Sequence, residues 1–582
     1  MSVVKSLKEA KSLTDLAKIL NYKPSGLSAI LYHIPDANKY TEFSIPKQSG
    51  GLRTIKAPVD RLNLLQKRLS DLLYSYLDEI EPKKNGFKTV SHGFIKDRSI
   101  ITNAQVHKRR RYVLNIDLNE FFSTINFGRV RGIFIKDKRF EFHQDVATII
   151  AQIACHANSL PQGSPCSPII SNIVGRLLDV RLIRLARLYK CTYSRYADDI
   201  TFSTNRAQFP SELAHPDPAG SPRWVLGFAL TSEITNRGFQ VNNNKTRMQF
   251  KASRQLVTGL IVNDKVNIKQ EYYRNVRSMC SLLFKSGKYY RVTPAVFAGG
   301  SANDPPVKVE FDTLGSLGGM LSYVYHVKNT IDRRASVEKK KEATSAAIRK
   351  LYHLFLFYKN FVDLKSPLIV TEGKTDAIYL KSAVEMLSKF HPQLGSLNGG
   401  KFVHTVRYLK FTSTVRDVLQ LGGGSSDIKF FIERYAKILR KFKHGSLSHP
   451  VIILIDNDEG AKDIFSVVRG NTPHKDISLD KTDKFYRIYS NLYLVKTPEV
   501  GKVKNMTCIE SFFEDIVLKT VLETKTLDLN KKHLAPGKYG KQVFAEKVVR
   551  PNKKSINFSG FDPLLERIVA VIDDYKTNPS SI

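Results

Sequence analysis

Acidic side chains at the ends of apolar runs are the first residues in this sequence able to do chemistry. Asp117 closes RYVLNID (111–117), and Asp198 and Asp199 stand together in Tyr196-Ala197-Asp198-Asp199. A strand alternates its faces, so two consecutive aspartates reach one point only at a tight turn. Three carboxylates gathered there repel one another. Divalent cations relieve the repulsion, and Mg²⁺ takes carboxylate oxygens together with substrate phosphates. Two such ions clamp the attacking and leaving oxygens of an in-line phosphoryl transfer. Taken alone, an Asp-Asp pair reads as a solvated turn. A second acidic group lies far downstream: Glu372 follows PLIVT, and Asp456 and Asp458 follow VIILI (451–455). An acid at the carboxyl end of a strand, repeated in an α/β setting, places ligands at the C-terminal edge of a parallel sheet.

The elements that must position these acids are visible as patterns. Residues 1–35 read as short helices, with Leu7, Leu13, Leu16, Ala17 and Leu20 at helical spacing. The stretch from Leu13 to Leu31 also fits a helix-turn-helix, but helical cover for a larger domain is the simpler reading. Between about 50 and 265 short β-type runs alternate with helices. RYVLNID is a strand, residues 165–188 a helix with a basic face, and YSRYADDITFS (193–203) a hairpin. A Pro-rich loop, 209–222, follows. Residues 335–363 are charged and helical and read as a connector. A new α/β pattern starts at Pro367.

Composition narrows the function. The 582 residues exceed what one hydrophobic core holds, so two or more domains are expected. The formal net charge is +37, of which +27 falls in residues 1–366 and +10 in the rest. Such a surplus calls for a polyanionic partner, nucleic acid first and an anionic membrane second. No run approaches the ~20 apolar residues of a membrane span, so no membrane is expected. The start, MSVVKSLKEAKSL, lacks the apolar block and cleavage site of a secretory signal. Cys155, Cys166, Cys191, Cys280 and Cys508 form no C-x-x-C pair, which argues against a disulfide scaffold or a structural zinc site. A cytoplasmic location with reduced thiols is expected. His107 to Arg111 and Lys285 to Arg291 (KSGKYYR) are basic runs suited to backbone phosphates and base stacking.

Tyr-x-Asp-Asp, preceded by NIDLNEFFSTI (115–125) and LPQGSPCSP (160–168), resembles a reverse transcriptase in the order and spacing of its blocks. The resemblance implies that Asp117, Asp198 and Asp199 are catalytic and bind Mg²⁺. It also implies that Phe122 is a steric gate selecting deoxynucleotides and that Gln162 lines the nucleotide pocket. Arg53, in KQSGGLRTIKAP (47–58), matches a triphosphate contact, a role that suits a planar guanidinium. Lys245, in GFQVNNNKTR (238–247), matches a palm lysine near the incoming dNTP. Asn103-Ala104-Gln105-Val106-His107 fits the N-A-x-x-H element of retron reverse transcriptases, and Val257-Thr258-Gly259 their V-T-G element. Retron enzymes copy part of a structured non-coding RNA into a short single-stranded DNA, msDNA. They prime from an internal 2′-OH, so that RNA and DNA end in a 2′,5′ branch. Asn103, His107, Lys108, Arg109, Arg110, Val257, Thr258 and Gly259 are implied to bind that RNA.

TEGKTDAIYLK (371–381), Gly422-Gly423-Gly424 and VIILIDNDEG (451–460) together resemble a TOPRIM domain, a small Rossmann-like fold of topoisomerases, bacterial primases and certain nucleases. Glu372, Asp456 and Asp458 are implied as Mg²⁺ ligands. Asp376 is expected on the same face of the following helix as Glu372, in an E-x-x-x-D arrangement. Glu510, Glu514 and Lys541 are further candidates for a downstream acid and lysine. A topoisomerase needs a strand-gate domain and a primase a zinc module; a metal-dependent nuclease needs neither.

The expected architecture is α/β and multidomain. A right-hand reverse transcriptase precedes a TOPRIM domain with a parallel sheet: a helical cap at 1–40, fingers and palm at 41–265, and a thumb that binds RNA at 266–332. A helical connector at 333–365 and a TOPRIM effector at 366–582 follow. The expected function is RNA-directed DNA synthesis from a cognate non-coding RNA, giving msDNA, fused to a toxic nuclease for antiphage defence. Two-metal Mg²⁺ sites are expected in both domains, and dNTPs are the polymerase substrates. Partners are the RNA, the msDNA and the nuclease's nucleic-acid target, with a homo-oligomer left open. The alternatives are a TOPRIM half that only binds or assembles, or a group II intron-type maturase.

Overall fold

Val113, Leu114, Ile116 and Leu118 are buried along one strand, and Asn115 and Asp117 alternate with the last three. That pattern organises the first of two units in the computed structural model. The structure describes residues 2–47, 51–80, 90–293, 295, 300, 304–341, 345–471, 477–499, 506–529 and 534–580. One unit comprises residues 1–272 and 294–307, the other 273–293 and 308–582.

In the first unit, strand Tyr112–Asn119 is central. On one side it pairs antiparallel with Asp199–Thr204, which forms a hairpin with Thr192–Tyr196. On the other it pairs with Gln240–Val241 near its end and with Arg247–Phe250 near its start. Ile200 and Phe202 are buried in the same core as Ile170, Ile173, Val174 and Leu178 of helix Ser167–Leu188. Each such side chain contributes about 1.5–3 kcal/mol by leaving water. Three short helices, Val3–Glu9, Leu13–Ile19 and Pro24–Ser28, lead the chain and bury Leu7, Leu16 and Leu27 in that core. A separate hairpin, Tyr40–Pro46 with Leu52–Pro58, is tied to the Pro161–Gly163 loop by Lys56 N–H donating to the Gln162 carbonyl at 2.8 Å. Gly163 has φ +123°, and a Cβ there would stand 2.6 Å from the Lys56 carbonyl, so the hairpin reaches this loop only over a glycine.

The second unit is built on a five-stranded sheet. Arg407–Tyr408, Leu368–Thr371, Val451–Ile455 and Leu492–Lys496 run parallel in that order, with Tyr486–Tyr489 antiparallel at the edge. Leu368, Ile369, Val370 and all of Val451–Ile455 are buried, the continuous apolar run that two covered faces demand. Tyr379 and Leu380 of helix Asp376–Met386 and Leu564, Leu565 and Ile568 of helix Asp562–Thr577 share a core with the sheet. Most of helix Gln270–Ser286, together with helices Leu314–Ile331 and Ala347–Phe357, also belongs to this unit.

Helix in the 335–363 segment comes in separate pieces: Ser336–Lys340 ends in extended backbone, helix Ala347–Phe357 starts afresh, and residues 342–344 lie outside the described residues. Two local expectations are corrected. The Pro-rich loop contains a small hairpin, Ala214–Pro216 with Trp224–Leu226. Glu372 and Asp376 do not share a helix face, because the helix begins at Asp376 and Glu372 precedes it. The Asp376 carboxylate turns back to accept from Gly373 N–H at 2.6 Å, and that local bond wins over the helical register.

Candidate active sites

In the first unit, cross-strand pairing sets Asp117 directly opposite Asp199. Ala197 and Asp198 form the two-residue turn between the hairpin strands, and Leu118 N–H donates to the Asp198 carbonyl at 3.1 Å. Ala197 sits at φ +56°, left-handed backbone that costs a non-glycine residue about 1–2 kcal/mol. The neighbours hold it there. Arg195, fully buried, donates to the Ala197 carbonyl at 3.0 Å and makes a bidentate pair with Asp179 at 2.8 Å for each bond. Tyr193 O–H donates to the same Asp179 at 2.7 Å. Gly93 presses on the turn, where an added Cβ would lie 2.7 Å from Ala197 N. Sequence reasoning missed Arg195, Asp179 and Gly93. An arginine two residues before an alanine in a left-handed turn, with an aspartate far upstream on a helix, is a signal only once the contact is known.

Burial, then the Asp117 charge, raises the Asp198 carboxyl above its ordinary range. Asp199 keeps an edge open to solvent, yet crowding by protein atoms, then Asp198 and Asp117, pushes it up to about 7. Lys245 answers Asp117 with bonds of 3.0 and 3.1 Å to its two oxygens. Arg53 is exposed on the hairpin of Tyr40–Pro46 with Leu52–Pro58, and its charge opposes the rise at Asp198. Phe122 is half-buried, in edge contact with Phe121 and Phe94 at 5.5 and 6.4 Å between ring centres. Gln162 is half-buried on the loop that the hairpin touches.

The expected RNA contacts divide. Lys108 and Arg109 are exposed, with Arg109 bonded to Asp264 at 2.9 Å. Arg110 is half-buried and reaches Thr192. Thr258, at φ +47°, donates to the Ile100 carbonyl, and Gly259 is exposed at φ +81°. Asn103, His107 and Val257 are fully buried, so direct contact with RNA is corrected to a packing role for these three. Ser194 Oγ donates to Asn103 Oδ1 at 2.6 Å and sits 2.7 Å from His107 Nε2; Ser203 Oγ sits 2.7 Å from His107 Nδ1. A neutral ring protonated on Nε2 satisfies both hydroxyls. The motif thereby fastens helix Ile100–Val106 to the hairpin that carries Asp198 and Asp199.

In the second unit, Glu372 and Asp456 follow adjacent parallel strands, and Asp456 N–H lies 3.4 Å from Glu372 Oε2. Asp456 Oδ1 accepts from Ile509 N–H at 3.0 Å, which draws in the turn carrying Glu510. Glu510, fully buried, pairs with Lys541 at 2.9 Å. Burial, then Asp376, Glu510 and Glu372, pushes Asp456 up to about 8. Burial also raises Glu372, with help from Asp458 and Asp376, and raises Asp376, with help from Glu510. Burial opposes the charge on Lys541, but Glu510 more than offsets it. Gly423, at φ +101°, lets the triple-glycine loop close on Glu372: Gly424 N–H donates to the Glu372 carbonyl at 2.9 Å. The structure thus gathers Glu372, Asp376, Asp456, Glu510 and Lys541 into one electrostatic neighbourhood, with Asp458 next to Glu372. Glu514 stays out, bonded to Asn557 at 2.7 Å on the surface.

Among the described residues, no three His, Cys, Asp or Glu side chains converge closely enough to hold an ion as they stand. The donor chemistry nevertheless fits a hard cation. Asp458 Oδ1 and Glu510 Oε1 are buried without a hydrogen-bond partner, and carboxylate oxygens are what Mg²⁺ takes.

Residues 45–262 match the family described as reverse transcriptase (RNA-dependent DNA polymerase). The retron Mx65 reverse transcriptase of Myxococcus xanthus is 36% identical over 285 residues, which cover 46% of this chain and 61% of that protein. The retron Mx162 reverse transcriptase of the same organism is 34% identical over 274 residues, 44% of this chain and 54% of that protein. The chain therefore spans somewhat over half the length of these relatives. A solved telomerase from Candida tropicalis, in complex with a TWJ fragment of telomeric RNA, covers 69% of this chain and 63% of its own at 13% identity and a TM-score of 0.29. Residues 45–262, which enclose the paired aspartates, are thus similar in sequence to reverse transcriptases, those of retrons among them.

Proposed function

We propose that the first unit is an RNA-directed DNA polymerase that copies a cognate structured RNA into branched msDNA, and that the second is a TOPRIM nuclease restrained by that product. The observation that carries the polymerase reading is the register Asp117 opposite Asp199, with Asp198 in the intervening turn. Like charges directly opposite on a sheet are destabilising unless something binds between them. Asp117, Asp198 and Asp199 would hold Mg²⁺, which would supply charge neutralisation for phosphoryl transfer. Lys245 holds Asp117 in place, Arg53 offers a planar cation to a triphosphate, and Phe122 offers a ring against the sugar. The +27 of residues 1–366 suits a chain that keeps RNA and DNA bound.

For the second unit the supporting observation is the apposition of Glu372 and Asp456 at the carboxyl ends of neighbouring parallel strands. Glu372, Asp376, Asp456, Asp458 and Glu510 would hold the cation there, and Lys541 pairs with Glu510. Hydrolysis of a phosphodiester needs no more than this donor set and water. In cells the DNA–RNA product restrains this activity until infection disturbs it.

The experiment is expression of the chain with its upstream RNA. Wild type yields a branched RNA–DNA product, and Asp198→Asn yields none; branched product from Asp198→Asn would overturn the polymerase assignment. Deleting the RNA slows growth, and Asp456→Ala relieves it. Growth indifferent to both would overturn the restrained nuclease.

A further inference from the structure

A cavity in the second unit, apart from the acid cluster, has cationic walls. Helix Ala347–Phe357 contributes Arg349, Lys350, His353 and Leu354, and helix Ser425–Leu439 contributes Arg434, Lys437 and Ile438, with Lys441 one turn further. Arg434, Lys437 and Ile438 follow i, i+3 and i+4 spacing and share one face, and Lys441 lies just past the helix end. The two faces line the same space, and among the described residues no carboxylate lines it.

Two cationic faces across one cleft repel. Part of the charge is answered within the protein: Arg349 is buried and bonds Asp417 at 3.1 Å, with Tyr325 O–H also on that carboxylate. Lys350 and Lys441 are exposed and make no ion pair among the described residues. His353 lines the same space. Its Nδ1–H donates to the Val418 carbonyl at 2.9 Å, and burial, then Lys441, Arg434 and Arg349, hold its pKa below the ordinary value. Leu354, Val418 and Ile438 give the wall an apolar stretch, and Lys340, Ser345 and Gln420 complete it.

Cations at the mouth and aliphatic side chains within suit a ligand with several negative charges joined to a flat apolar body. We propose that this cavity binds a nucleoside polyphosphate, with phosphates against Lys350, Arg434 and Lys441 and the base against Leu354, Val418 and Ile438. The site stands independently of the nuclease reading, since none of its residues belongs to the acid cluster.

The test is a fluorescence titration of the full-length protein with N-methylanthraniloyl-ATP in EDTA, which silences Mg²⁺-dependent nucleotide binding at the polymerase aspartates. Saturable binding is expected, unchanged in Asp198→Asn and weakened about tenfold or more by Lys350→Glu with Lys441→Glu. That double variant keeps the wild-type rate of DNA synthesis and the wild-type thermal unfolding. Lys350→Ala with Lys441→Ala weakens binding in the same direction by less. Unlabelled ATP displaces the probe about tenfold better than inorganic tripolyphosphate, because only ATP has a base to bury. Equal binding by wild type and the charge-reversed variant would overturn the site. Tripolyphosphate competing as well as ATP, or displacement only by a 5′-phosphorylated oligonucleotide, would overturn the nucleotide as its ligand.

Discussion

Asp117 and Asp199 face each other on antiparallel strands, beside a turn clamped by a buried arginine, and Lys245 bonds the acid directly. Glu372 and Asp456 instead end parallel strands, and the lysine of their cluster, Lys541, bonds Glu510. The first arrangement is local. Two of its three acids are neighbours in sequence, and an ammonium already tempers the third. The second is assembled from segments around residues 372, 424, 456, 510 and 541, and its acids are kept apart from water by one another's burial. Burial is the first cause of the rise at both Asp456 and Asp199, and neighbouring carboxylates add to it in each case, Asp376, Glu510 and Glu372 around Asp456 and Asp198 and Asp117 around Asp199.

The largest expected effects test whether these are two sites. Asp199→Ala is expected to lower DNA synthesis by on the order of 10³-fold or more and leave Mg²⁺-dependent cleavage of nucleic acid intact, and Asp456→Ala to do the reverse. Primer extension and cleavage assays on the same preparations check both. Loss of both activities from either substitution breaks the comparison.

The two clusters should also differ in what happens when their cation is removed. Arg195→Leu strands Asp179 in the core and is expected to cost about 3–5 kcal/mol. Lys541→Met is expected to cost less, about 1–3 kcal/mol, because Lys541 is partly exposed. Hydrogen exchange of the Thr192–Thr204 hairpin and of the residues around 510 gives both numbers on the intact chain. Equal losses would mean that the second cluster is clamped as firmly as the first.

Glycine substitutions sharpen the contrast further. Gly423 and Gly259 both have positive φ, but a Cβ at Gly423 would lie 2.8 Å from the Glu372 carbonyl, whereas that at Gly259 meets nothing within 4 Å. Gly423→Ala is expected to cost about 1–3 kcal/mol and to displace Glu372, lowering cleavage. Gly259→Ala is expected to cost about 1 kcal/mol and leave both activities unchanged. Thermal unfolding and the same two assays distinguish them.

Local signals were legible in the sequence and long-range ones were not. The strand RYVLNID and the hairpin around Tyr-Ala-Asp-Asp announced themselves by alternation and by two acids that only a turn can aim together, and the structure pairs them in register. The parallel strands at Leu368 and Val451 were equally plain as buried apolar runs. By contrast, Glu510 and Glu514 were indistinguishable on paper. Only the Ile509 N–H bond to Asp456 decides that Glu510 turns inward and Glu514 outward. Asn103 and His107 looked like ligand contacts because polar residues in a motif do. Their partners, Ser194 and Ser203, lie on strands whose serines no spacing singled out.

The smallest expected effect separates a packing histidine from a binding one. Burial, then Arg110, holds the His107 pKa down at about 3, against about 6.5 for the unfolded chain. The unfolded state therefore takes up a proton first as pH falls. The contribution is constant above pH 6.5 and is lost progressively between 6.5 and 3, at about 1.4 kcal/mol per pH unit. Bringing the protein from pH 7.5 to 5.5 should cost about 1.4 kcal/mol through this ring alone, read as faster hydrogen exchange in helix Ile100–Val106. His107→Gln should flatten that slope while lowering stability at pH 7.5, because glutamine cannot serve Ser194 and Ser203 with the same ring geometry. His92, held at about 4 by burial and Arg98, adds a second increment that survives in the variant. An unchanged slope in His107→Gln would mean that the ring titrates in the folded protein, and so is open to water and to ligand. The N-A-x-x-H element would then join the surface of the first unit.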